Sequence, residues 1–464
     1  MTGLVTEFSR ERADQFIKEK LSFLPSSAYR PAYHITAPLG WINDPNGLVY
    51  FRGEYHAFYQ FYPYDTEWGP MHWGHVKSKD LLHWEHLPVA IAPEYDYEKE
   101  GCFSGSAVVR NDKMYLIYTG HNEKNSPKEV QCIAVSDDGI HFEKLATNPV
   151  IAAPPENGSE DFRDPKVTYI DGVWYMFIGT AYHNEGKAIY YTSKDLENWE
   201  YGGVLLESDG TQGTMWECVD FFPLDGYDVL IFSPMELNNS KTKYIVGHWN
   251  GGTFERVTEG EIDLGPDFYA PQTFEDGQGR RLMIGWMNMW KKSMEEKKEG
   301  WAGALTMPRE LAIKNERLVM QAPTEWQEKK RQRLYSAEEI SSGEERAINV
   351  TFSSLYLHAS VETTASSTWA ITSVAGDTLS IRYDANQSIL FVDRRDMHYG
   401  DKDEIAIPLD KSSDELTFDG YIDHSSLELL INKGEEIATF RVYFKDPNVT
   451  IKQHQPGTFI VEHF

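Results

Sequence analysis

Three carboxylates and one serine of this 464-residue chain fall in register with an internal repeat. The repeat is carried by SKDLLHWE from Ser78, SDDGIHFE from Ser136, SKDLENWE from Ser193 and a weaker copy, HWNGGTFE, from His248. Counted back from the aromatic of each copy (Trp84, Phe142, Trp199, Phe254), Asp44, Ser104, Asp164 and Glu217 lie 40, 38, 35 and 37 residues upstream. Equivalent positions in repeated modules around an axis share one radius, so the acids are expected to converge. Converging carboxylates suit glycoside hydrolysis. One attacks the anomeric carbon, one protonates the leaving oxygen, and water resolves the glycosyl-enzyme. A third can hold sugar hydroxyls and favour the developing positive charge. A Ca²⁺ or Mg²⁺ site is the competing use, but such sites usually draw several ligands from one loop. Acids of like charge in a partly dry funnel cannot all ionise normally, so at least one pKa should be raised. Asp44 and Asp164 each precede proline, which favours extended backbone, though Asp-Pro is also a common turn former.

The elements that must hold these acids read almost wholly as strands. Residues 6–24 carry Ala13, Phe16, Ile17, Leu21 and Leu24 at helical spacing. Beyond them, short alternating runs are separated by Gly, Asn, Asp and Pro, with hairpin turns expected at Asn111-Asp112 and Asp171-Gly172. The repeat steps by 58, 57 and 55 residues, room for about four strands, which is the size of a β-propeller blade. Five such blades fit between His34 and about residue 320. The charged stretch TEWQEKKRQRLYSAEEI reads as a helix-prone connector, and alternation resumes after it as in a β-sandwich. The expected fold is all-β: a helical segment over 1–30, a five-bladed β-propeller over 31–322, a linker over 323–339 and a β-sandwich over 340–464.

Lys+Arg 44 against Asp+Glu 72 gives a formal net charge of −28, which repels phosphate backbones and argues against nucleic acid as a partner. No apolar run approaches the ~18–20 residues that cross a bilayer, so no membrane partner is expected. Cys102, Cys132 and Cys218 are too few for a disulfide framework and fit a reducing compartment. The charged start MTGLVTEFSRERADQF lacks the apolar core of a signal peptide, and a cytoplasmic protein is expected. No cofactor or metal is expected. His72, His75, His83 and His86 form two His-x-x-His pairs, but on strand and turn that spacing does not put ligands on one face. The many aromatics suit sugar faces, and sandwich edges offer a surface for a homodimer.

WINDPNG at Trp41–Gly47, FSGSA at Phe103–Ala107, RDP at Arg163–Pro165, WEC at Trp216–Cys218 and YAPQ at Tyr269–Gln272 resemble, in order, the motifs of glycoside hydrolase family 32, the invertase and β-fructofuranosidase family. The resemblance runs from about His34 to the C-terminus and includes DHSSLELLIN, which reads as structural. It implies a five-bladed propeller joined to a sandwich. It also implies retaining hydrolysis of the terminal β-D-fructofuranoside of sucrose, sucrose 6-phosphate or short fructooligosaccharides. By position, Asp44 matches the nucleophile, Glu217 the acid/base and Asp164 the transition-state stabiliser. Asn43, Gln60, Trp68, Phe103, Ser104 and Arg163 match residues of the −1 subsite, and Tyr269 and Trp286 match rim positions nearer the leaving group. Retention implies carboxyls ~5–5.5 Å apart at Asp44 and Glu217. Arg163 is expected to keep its neighbour Asp164 ionised while Glu217 stays protonated. Cys218 reads as a small buried neighbour. Lys291 and Lys292 are candidate cations for a phosphate, although KKSMEEKKEG reads more simply as a solvated mixed-charge loop. A fructosyltransferase, an inverting pentosidase and a non-catalytic carbohydrate-binding propeller remain as alternatives.

Overall fold

The computed structural model describes residues 7–236, 241–340, 345–410, 413–454 and 457–464. Local turn chemistry builds it. Asn111 and Asp112 adopt φ of 52° and 59°, and Asp171 and Gly172 adopt 48° and 87°, the paired left-handed conformation of a two-residue hairpin. The repeat is also a turn. Ser78 Oγ accepts the N–H groups of Asp80 and Leu81, and Asp80 Oδ1 accepts those of Leu82 and His83. The same bonds recur at Ser136/Asp138 and Ser193/Asp195. In the weaker copy Asn250 Oδ1 accepts from Gly252 and Thr253.

Each copy joins the third strand to the fourth in one antiparallel sheet. The first sheet is Gly40–Phe51, Glu54–Tyr62, His72–Ser78 and Glu85–Ile91, and the second is Gly101–Arg110, Lys113–His121, Glu129–Ser136 and Glu143–Lys144. The third is Phe162–Ile170, Val173–Tyr182, Glu185–Ser193 and Glu200–Glu207, and the fourth is Trp216–Leu224, Tyr227–Pro234, Lys243–Trp249 and Phe254–Glu261. A fifth sheet, Tyr269–Glu275, Arg281–Trp286, Arg309–Lys314 and Arg317–Gln321, turns instead at Asn315-Glu316. The short strand Trp301–Ala302 runs parallel to Gly40–Phe51 and adds a fifth member to the first sheet. The first strands of the five sheets pack on one another in sequence order, and the last returns to the first. Apolar clusters fill the gaps between neighbouring sheets: Phe58, Trp73, Leu116 and Cys132 in one, Ile117, Ile133, Ile178 and Ile189 in the next.

The C-terminal part is two six-stranded sheets that share one apolar core of Leu357, Trp369, Ile381, Phe418, Ile451 and Val461. Strict alternation along Ser367–Ser373 buries every second residue, as a strand facing one core requires. Two expectations change here. The helix over 6–24 is shorter, Arg10–Lys20, with Ser9 Oγ accepting the Arg12 N–H at 3.2 Å, and residue 6 lies outside the described residues. It ends in a 3₁₀ turn, Leu21–Phe23, and only Ala13 of the apolar stripe is buried. The connector is helical only over Thr324–Gln327, while Gln332–Ile340 is a strand paired with Gly457–His463. Its charged residues are good helix formers, but the open edge of the C-terminal strand offers backbone partners, and tertiary pairing overrides propensity.

A buried ionic joint connects the two parts. The His34 side chain is fully buried between Asp423 (Nδ1 to Oδ2, 3.0 Å) and Glu428 (Nε2 to Oε1, 2.9 Å), both from the DHSSLELLIN segment. Arg309 pairs with Glu428 and Asp263, each at 2.9 Å. Burial alone would lower the His34 pKa, but hydrogen bonds to Asp423 and Glu428 and their charges outweigh it and raise the ring to about 9. The folded pKa lies above the unfolded value near 6.5. The imidazolium therefore contributes its full stability below about pH 6.5 and loses it as pH rises through about 9. His34→Ala leaves two buried carboxylates short of a cation and is expected to cost about 3 kcal/mol. The check is the melting temperature: a deficit at pH 7 that shrinks by pH 10 is expected, and equal deficits at both would refute the assignment.

Candidate active site

The site is carried by the first strands of the five sheets, and each breaks register at the same level. The shifts fall between Ile42 and Pro45, Phe103 and Gly105, Arg163 and Lys166, Glu217 and Asp220, and Tyr269 and Gln272. Such bulges re-aim side chains and end pairing. Asp44, Ser104 and Asp164 lie within them, and Glu217 and Tyr269 at their edges. Asp164, Cys218 and Ala270 sit at φ of 64°, 49° and 50°, a strained left-handed region for residues with a Cβ. Beside Ser104 the strand passes so near its partner that a Cβ on Gly105 would lie 1.9 Å from the Ile117 carbonyl oxygen.

The bulged residues open into one cavity of about 850 Å³. Its walls include Asn43, Asp44, Gln60, Trp68, Phe103, Ser104, Arg163, Asp164, Glu217 and Tyr269. Asp44 Oδ2 accepts the Ser104 hydroxyl at 2.6 Å and Oδ1 accepts the Asn43 amide at 3.1 Å, while Trp41 Nε1 in turn donates to Asn43 Oδ1 at 2.8 Å. Glu217 Oε1 accepts from Arg163 Nε and Nη2 at 3.2 and 3.1 Å, and Oε2 accepts the Tyr269 hydroxyl at 2.6 Å. Asp164 Oδ2 accepts the Cys218 N–H at 2.9 Å. The Cys218 sulfur lies 3.6 Å from both Asp44 Oδ2 and Asp164 Oδ2, so one thiol bridges two of the acids. Gln60 Nε2 donates to the Cys102 carbonyl at 3.0 Å, which ties the first sheet to the strand bearing Phe103.

Burial raises Asp44 to about 6, against the hydrogen bonds from Ser104 and Asn43, with the Glu217 charge adding to the rise. The carboxyl is enclosed by protein yet meets solvent through the cavity. Asp164 is pushed up to about 8, first by burial and then by Glu217 and Asp44, although Arg163 pulls the other way. The expected pull of Arg163 on Asp164 is thus present but outweighed, and the cation is not reserved for Asp164, since it bonds Glu217 directly. Neighbours on a strand point to opposite sides, and the Arg163 guanidinium turns from Asp164 to Glu217, Glu129 (3.2 Å) and Asp161 (3.0 Å). Burial and the neighbouring carboxylates therefore hold the Asp164 carboxyl above the usual carboxylate range.

One further correction concerns an aromatic. Trp286 is fully buried and does not line the cavity. It lies on the second strand of the fifth sheet, opposite Tyr269, one strand out from the cavity. Trp290, four residues on and 40 % exposed, takes the wall position. Of the four histidines, His72 Nδ1 lies 2.9 Å from the Pro70 carbonyl, His75 meets His56 at 2.9 Å and His83 meets Asp80 at 2.7 Å, three separate surroundings. Glu129 and His121 were not among the expected residues. Glu129 is buried against Arg163 and the Phe162 N–H, and His121 stacks on Phe103 at 4.1 Å and 10°. A buried arginine beside one acid needs further counter-charges, but nothing in the spacing says which carboxylate supplies them.

Carboxylates delivered from three sheets to the floor of one sugar-sized cavity define the class, a glycoside hydrolase working by carboxylate chemistry. The chain belongs to glycosyl hydrolases family 32: the N-terminal domain profile of that family matches residues 34–323 and its C-terminal profile residues 320–460. It is 39% identical over 454 residues to a sucrose-6-phosphate hydrolase of Escherichia coli, covering 94% of each chain. It is also 36% identical over 451 residues to a raffinose invertase of Escherichia coli, covering 92% of each. Among solved structures, the Bombyx mori GH32 beta-fructofuranosidase aligns with a TM-score of 0.87 at 35% identity, over 98% of this chain and 97% of that one. A variant of that enzyme has been solved in complex with sucrose.

Proposed function

We propose that the protein is a retaining β-fructofuranosidase that releases fructose from sucrose or related terminal β-D-fructofuranosides. The observation that carries this reading is the delivery of two carboxylates, each fixed by its own hydrogen bonds, to one cavity. Asp44 is held by Ser104 and Asn43, while Glu217 is gripped by Arg163 and Tyr269. In the first step Asp44 Oδ attacks the anomeric carbon of fructose, and Glu217 gives its proton to the departing glycosidic oxygen. In the second, Glu217 takes a proton from water, whose oxygen displaces Asp44 and restores the original configuration. Asp164, fixed by the Cys218 N–H, hydrogen-bonds the fructosyl hydroxyls. The closed order of the five first strands and the recurring Ser-x-Asp turns support a five-bladed β-propeller over 31–322. The β-sandwich then begins at the Gln332–Ile340 strand, before residue 340. Buried free thiols at Cys102, Cys132 and Cys218 suit a reducing compartment, which supports a cytoplasmic location. No helix of the described residues is long and apolar enough to cross a membrane.

Proton NMR of the sugar first released from sucrose tests the reading. β-Fructofuranose ahead of mutarotation is expected, and an initial α-anomer would exclude the covalent route. The pH profile is a second check. Asp44 must be ionised to attack, and its pKa is raised from 3.8 to about 6. The acid limb of kcat/KM is therefore expected near pH 6, with about a tenfold fall per unit below it. Ser104→Ala removes a bond that favours the ionised form, so its limb should move to higher pH; a limb left in place would contradict the Ser104–Asp44 coupling.

A further inference from the structure

The segment after Trp286 forms the mouth of the cavity, and the C-terminal sandwich holds it there. Trp290 stacks nearly parallel to Trp41 (6.0 Å, 17°) and edge-on to Trp286 (5.1 Å, 63°), so it presents a fixed aromatic face. The carboxylates lie at the floor, where the fructosyl ring must sit. The departing sugar then lies toward the mouth, beside Trp290. The next residues are anchored from the second domain. Lys292 Nζ lies 3.1 Å from Asp401 Oδ2 and 3.9 Å from Asp403 Oδ2, and Asp401 Oδ1 accepts the Ser293 N–H at 3.3 Å. Asp403 is also committed to Arg394 at 2.8 Å. Four residues on, buried Glu296 is gripped by Arg441 (3.1 Å) and the Tyr443 hydroxyl (2.6 Å), again from the sandwich.

The same contacts decide the charge of that wall. Lys292 is neutralised by Asp401. Lys128, which also lines the cavity, pairs with Asp161 at 3.1 Å and Glu123 at 3.7 Å. Glu123 and Glu236 face the same space. Lys291 is exposed, and a single solvated cation gains little from a phosphate at physiological salt. A phosphate dianion on the departing sugar would meet two lysines already paired, one solvated lysine and carboxylates of its own sign.

We infer that the leaving-group wall is a platform for an uncharged sugar stacked on Trp290, and that Asp401 is a positioning residue which fixes this segment and cancels Lys292. The enzyme then prefers sucrose over sucrose 6-phosphate. The inference rests on the fructosidase reading above. The test compares kcat/KM for the two sugars in the wild type, Asp401→Asn, Lys292→Met, the double variant and Trp290→Ala. The wild type is expected to favour sucrose by about tenfold or more. Asp401→Asn, nearly isosteric, frees Lys292 and should raise the sucrose 6-phosphate to sucrose ratio about threefold, more so at low ionic strength. Lys292→Met and the double variant should keep the wild-type ratio, which a merely structural role for Asp401 would not produce. Trp290→Ala should raise KM for sucrose about tenfold with a smaller change in kcat, and should barely affect methyl β-D-fructofuranoside. A wild type that prefers the phosphorylated sugar, or an Asp401→Asn ratio that does not move, overturns the inference. If neither sugar is hydrolysed, the fructosidase reading itself fails.

Discussion

Asp44→Asn is expected to lower kcat on sucrose by about four to five orders of magnitude while leaving sucrose bound. An amide does not displace a glycosidic oxygen, and what remains comes from binding and from Glu217. The Asn side chain keeps an oxygen to accept the Ser104 hydroxyl, so the cavity should retain its shape. Stability should move the opposite way. Because the folded pKa of Asp44 is raised from 3.8 to about 6, ionising it costs the folded state at every pH above that range. Two units correspond to about 2.7 kcal/mol at most. Screening through the open cavity reduces the gain from removing the charge to about 1 kcal/mol at pH 8, and it should vanish below about pH 4. The measurements are single-turnover kinetics, sucrose titration by calorimetry, and melting temperatures at pH 4 and 8. Undiminished turnover would remove Asp44 from the chemistry.

Glu217→Ala is expected to cost about three to four orders of magnitude on sucrose, within the range for losing a general acid. On a fructoside with a nitrophenyl leaving group, which departs without a proton, the first step should be nearly spared and the fructosyl-enzyme should accumulate. Azide needs no general base, so it should then restore turnover and give the β-fructosyl azide, the retained product. Azide with Asp44→Ala should give the inverted α-azide instead, which separates the two roles. Arg163 keeps Glu129 and Asp161 as partners when Glu217 is lost, so the variant should fold. Equal losses on both leaving groups, without azide rescue, would deny Glu217 the proton-transfer role.

Much of this site is legible in the sequence. The Ser-x-Asp turns are made of hydrogen bonds spanning two or three residues, and local bonds leave local motifs. Because four copies recur at nearly constant steps, Asp44, Ser104, Asp164 and Glu217 could be aligned with one another, and all four lie on first strands. The hairpins at Asn111-Asp112 and Asp171-Gly172 were equally visible, since few residue pairs accept the backbone they need. The Gln332–Ile340 strand was hidden because its partner, Gly457–His463, lies more than a hundred residues away.

The sequence by itself determined which side chains are present, their turn-bounded strands and their common level in the repeat, because these depend on neighbours along the chain. Only the tertiary structure decided where each side chain points. Arg163 meets Glu217 and not Asp164 because bulges set the direction of each side chain at the cavity floor. Trp290 takes the wall place expected of Trp286 because the fifth sheet puts Trp286 one strand out. Lys292 is answered by Asp401 because the C-terminal sheets pack against the mouth. Charges and pKa values depend on what lies within a few ångströms in space, and that distance is set by the packing of segments far apart in the chain.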